Sequence, residues 1–144
     1  MKSLRLVAIL LLGSCALGQQ APAIFEGSWI ASAGQKDIFR GRWSGQALLR
    51  TRNAAHGSWV LLNDKKQTVL QGTWSAQKSA AGWQGTWSAR TLQGQSVAGT
   101  WTANLADFKG KTFEDMLQRA AEKQIAGFWR SARMQGYWWL QNLR

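Results

Sequence analysis

The chain has 144 residues, a formal net charge of +11, ten tryptophans, one histidine and one cysteine. That length bounds the fold to one ordinary domain. A lone His56 and a lone Cys15 exclude an intrachain disulfide, a histidine pair and a zinc site built from His and Cys.

In chain order, a short basic start (Lys2, Arg5) precedes an apolar run from Leu6 to Leu12 and then small residues. This is the pattern of a secretory signal over residues 1–18, too short to stay in a bilayer. Two cleavage points fit it. Ala16, Leu17 and Gly18 form a small-residue site before Gln19, whereas Leu12, Gly13, Ser14 and Cys15 resemble the bacterial lipobox, with Gly13 a less usual occupant. The lipobox resemblance implies that Cys15 becomes the lipid-carrying first residue of the mature protein. Residues 19–144 are then a single exported domain that must fold without a disulfide.

From Gly27 onward a triplet of Gly, any residue and Trp recurs: Gly27/Trp29, Gly41/Trp43, Gly57/Trp59, Gly72/Trp74, Gly85/Trp87, Gly99/Trp101, Gly127/Trp129 and Gly136/Trp138. Within a strand, positions two apart share a face. The alternate positions are polar: Glu26, Ser28, Arg40, Arg42, Ser44, Thr73, Ser75, Thr86, Ser88, Thr100 and Thr102. One wet face and one Gly/Trp face describe an antiparallel sheet whose Trp side is inside. A wet outer face also argues against a transmembrane barrel.

A Trp opposite a Gly on the next strand covers bare backbone with its ring, which offers a register. Trp29 with Gly41, Trp59 with Gly72, Trp74 with Gly85, Trp87 with Gly99 and Trp129 with Gly136 all centre their hairpins on short connections. Trp43 with Gly57 does not, because its centre falls on Arg50 inside the strand-like run Ala47–Thr51. A long second strand, bent at Gly45 and shifted in register, is expected there.

Over residues 112–125 the period becomes helical, with Phe113, Met116, Leu117, Ala120, Ala121 and Ile125 on one face. Thr112 and Asp115 suggest a capping box. The last strands, 126–132 and 134–142, are apolar on both sides, and Phe128, Tyr137 and Trp139 point away from the Trp face. The helix is expected to pack over that outer patch; otherwise the patch is an exposed aromatic platform.

The fold class is therefore mainly β: an antiparallel up-and-down meander of about eight strands, either a small closed barrel or a strongly curled sheet, with one α-helix before the last two strands. Eight strands in meander order fit a small closed barrel of the size that fills with side chains or holds one small ligand, and strand count and triplet resemble the avidin and lipocalin class of barrels. The helix position departs from the lipocalin order. No counterpart of the avidin ligand-binding set is present, so biotin is not implied.

Chemistry is sparse. His56 sits beside a turn, and the few carboxylates form no inward-facing pair for acid and base work. No cofactor or metal is expected, and the chain reads as a non-catalytic binding or interaction module of the cell envelope. The alternatives are a carrier of a small apolar ligand and a protein-interaction or hydrolase-inhibitor-like barrel. Eight tryptophans should largely fill so small a barrel, which puts any pocket at a mouth near Trp43, Trp83 or Trp138, with Tyr137 and Trp139 as further ligand contacts. Arg40, Arg42, Arg130 and Arg133 are the candidate contacts for an anionic envelope component or another protein. The export signal argues against nucleic acid, and a membrane is reached only through a lipid on Cys15. A periplasmic, outer-membrane-anchored or secreted location follows from the same signal.

Overall fold

The alternation of Gly/Trp and polar positions produces eight strands: β1 (Ile24–Ala33), β2 (Asp37–Ala47), β3 (Ala54–Leu62), β4 (Thr68–Ser79), β5 (Gly82–Arg90), β6 (Ser96–Asn104), β7 (Ala126–Ser131) and β8 (Gln135–Gln141). One helix, α1 (Phe113–Lys123), precedes the last two. The structure, a computed structural model, describes residues 23–48, 53–80, 82–104, 112–123 and 126–144. The signal region and Cys15 lie outside these residues. Each strand pairs antiparallel with the next and β8 returns to β1, so the sheet closes into a barrel.

The register shows how the triplet works. Within each of the four odd-to-even hairpins the Gly and Trp exchange partners twice. Gly27 faces Trp43 while Trp29 faces Gly41, and Gly57 faces Trp74 while Trp59 faces Gly72. Gly85 and Trp87 face Trp101 and Gly99, and Gly127 and Trp129 face Trp138 and Gly136. At three of the four seams between hairpins Trp meets Trp: Trp43 with Trp59, Trp74 with Trp87, and Trp101 with Trp129; at the β8–β1 seam Trp29 faces Leu140 and Trp138 faces Ala31. The shift expected between β2 and β3 is present, with Gly45 opposite Gly57.

The expected pairing of Trp74 with Gly85 is corrected: Trp74 faces Trp87, and the connection closes tightly with Ser79 opposite Gly82. Ser75 explains part of this register. Its hydroxyl accepts the Thr86 N–H at 3.3 Å in place of a ladder carbonyl, and the freed Ser75 carbonyl accepts the Trp101 indole N–H at 2.9 Å. Ser32 does the same at the β8–β1 seam, accepting the Tyr137 N–H on its hydroxyl and the Trp129 indole on its carbonyl.

The capping box closes α1 as the sequence suggests. The Thr112 N–H donates to Asp115 Oδ2 and the Asp115 N–H to Thr112 Oγ1, both at 3.1 Å. The helix does not pack over the outer aromatic patch. Its buried residues Phe113, Met116 and Leu117 join Ala47, Ala55, Ala76, Trp83 and Ala103 at one end of the barrel. Those inward alanines leave the room that a larger side chain would take, so the helix becomes a stopper.

Candidate functional site

Glycine opposite tryptophan decides what the inside looks like. With no Cβ beneath it, an indole can lie flat along the wall: a Cβ at Gly41 or at Gly99 would sit 2.6 Å from the ring of Trp29 or Trp87. The indole N–H then bonds the wall itself. Trp29 donates to the Arg42 carbonyl at 3.2 Å, Trp59 to Thr73 at 3.2 Å and Trp87 to Thr100 at 3.3 Å.

Alternate strands of an eight-stranded barrel contribute to the same layer. Trp29, Trp59, Trp87 and Trp129, from the odd strands, form an upper layer. Neighbouring centroids are 5.8, 6.1 and 6.1 Å apart and the planes meet at 80°, 79° and 71°. Rings a quarter-turn apart and tangent to the wall must meet near a right angle, so these angles follow from the tiling. Trp43, Trp74, Trp101 and Trp138 form the lower layer, nearer the helix, in contact as two pairs, Trp43 with Trp74 and Trp101 with Trp138.

The result is a lumen of about 970 Å³ with all eight repeat tryptophans in its lining, within the range of cavities that hold one small molecule. Phe113, Met116 and Leu117 line it from the helix end, with Phe113 against Trp74 at 5.6 Å and Trp83 at 5.5 Å. At the opposite end Phe39, Leu61, Leu70, Val97 and Met134 line the mouth, together with Thr91, Gln95, Ser131 and Arg133. The expectation that the tryptophans fill the barrel is thereby corrected: volume alone predicts a plug, but flat orientation leaves the centre open.

The sequence-derived residues separate into four places. Trp43 and Trp138 both line the lower layer of the lumen, in different ring pairs. Trp83 is 1% exposed and packs behind Phe113, at the closed end and outside the lumen lining. Tyr137 and Trp139 are on the outer face, where Phe128, Tyr137 and Trp139 form a chain of ring contacts and the Arg130 guanidinium lies 5.8 Å from the Phe128 ring. Arg40 and Arg42 occupy the outer face of β2, facing Ile30 and Ser28 of β1, whereas Arg133 is in the β7–β8 turn and reaches the mouth.

The rim residues Phe39, Leu61 and Leu70 were missed by sequence reasoning, although they continue the two-residue alternation of the Trp face and could have been found by extending it. His56 pairs with Gln46 across the outer face at 3.0 Å. Among the described residues, no three His, Cys, Asp or Glu side chains gather as metal ligands. Comparison with protein-family models, with curated proteins and with solved structures finds no match.

Proposed function

We propose that the mature domain is an exported, non-catalytic binding barrel that holds one small apolar ligand in its tryptophan-lined lumen. One observation supports this reading above the others: the indoles lie on the wall instead of filling the centre, so a stoppered barrel keeps a lumen of about 970 Å³ open at one end. Desolvating an apolar ligand against aromatic faces contributes roughly 25 cal/mol per Å² buried.

Titration of the purified protein with dodecanol, followed by tryptophan emission and native mass spectrometry, tests the proposal. A saturable emission change with one ligand retained per chain is the expected outcome. Unchanged emission and a bare protein mass throughout would sink it. A second reading, contact with a protein or glycan through the outer face, is favoured by the exposed Tyr137 beside Phe128, Trp139 and Arg130. A crosslinked partner lost on Tyr137→Ser, with dodecanol binding intact, would support that use of the outside.

A further inference from the structure

We propose that the lumen takes a single-chain anionic amphiphile, its chain threaded through the upper collar of indoles and its acidic head held at the mouth by Arg133. The inference rests on the ligand-holding reading above and adds the ligand's shape and charge.

Shape comes from the collar. Centroids spaced about 6 Å apart with near-perpendicular planes put opposite ring faces on the order of 8 Å apart. Carbon contact needs about 3.5–4.0 Å on each side, so one methylene chain touches both walls and two chains do not fit. Six of the eight repeat indoles donate their N–H to wall carbonyls, which presents their faces, not their polar edges, to whatever occupies the lumen.

Charge comes from the mouth. Thr91 and Gln95 of the β5–β6 turn, Ser131 at the end of β7 and Arg133 of the β7–β8 turn line one sector, neighbours because β6 pairs with β7. Phe39, Leu61 and Leu70 line the opposite sector. Arg133 is the one charged side chain of the described lumen lining. The turns and strand ends on this side also carry Lys36, Lys65 and Lys66 against Asp37 and Asp64, so the field at the entrance favours an anion. Indole faces alone would attract a quaternary ammonium; the cationic mouth opposes it.

Four probes separate these terms in the full-length protein at low ionic strength and below micelle formation: dodecanoate, dodecanol, dodecyltrimethylammonium and the two-chain didodecyl phosphate. Tryptophan emission should report binding in the order dodecanoate, dodecanol, ammonium, with no saturable response to the two-chain anion. Arg133→Gln should weaken dodecanoate about three- to fivefold, the scale of an exposed ion pair, and leave dodecanol unchanged. High salt should shrink the same preference. Dodecanol binding as tightly as dodecanoate, or the ammonium binding most tightly, overturns the assignment of charge, and saturable binding of the two-chain anion overturns the assignment of shape. Failure of dodecanol to bind, whichever other probe binds, overturns the ligand-holding reading itself.

Discussion

The two layers of indoles come from one triplet and reach different states. In the upper layer all four N–H groups find a carbonyl: Arg42, Thr73, Thr100 and Ser32 accept from Trp29, Trp59, Trp87 and Trp129. In the lower layer Trp74 and Trp101 are bonded to Ser44 and Ser75, while the buried N–H groups of Trp43 and Trp138 have no partner. The upper layer is a pinned collar; the lower one is two ring pairs leaning on a stopper. A triplet therefore fixes where an indole lies, but a neighbouring carbonyl must be free before the indole is locked there. Serine supplies that freedom at Ser32 and Ser75, where the hydroxyl takes over a ladder bond.

The comparison breaks most severely if the stopper is removed. Phe113 is 2% exposed and touches Phe25, Trp74 and Trp83, so Phe113→Ala should cost about 3–5 kcal/mol, read as a fall in denaturant midpoint. Trp74 and Trp83 emission should shift with it, whereas the upper-layer indoles keep their environment. An equal disturbance of both layers would mean that the stopper and the collar are not separable.

A smaller effect sharpens the distinction between bonded and unbonded indoles. Trp129→Phe strands the Ser32 carbonyl, while Trp43→Phe deletes a donor that has no acceptor. The first should be less stable than the second by about 1 kcal/mol in matched chemical denaturation. Equal losses would show that the N–H bonds add nothing to ring burial.

Much of the barrel is legible in the sequence because Gly and Trp two positions apart specify strand, face and partner together. Trp29 opposite Gly41 and Trp87 opposite Gly99 need no further information. The register at Trp74 was not legible, since it depends on a tight turn closed by Ser79 and Gly82 and on a serine hydroxyl replacing a main-chain acceptor. Amphipathicity showed which side of α1 is buried but not against what; the clue lay in inward alanines such as Ala76 and Ala103, two residues beyond Trp74 and Trp101. The open lumen was hidden for a related reason. Counting side-chain volume treats a tryptophan as filling, and only the glycine across from it reveals that the ring can lie flat.

Whether the indoles wall a ligand space is tested most directly by the indole N–H resonances of the ¹⁵N-labelled protein during titration with dodecanol. The account predicts that resonances of the eight lumen tryptophans move together and saturate, with Trp139 on the outer face unmoved. Movement confined to Trp139, or no movement at any indole while dodecanol is in excess, would contradict it.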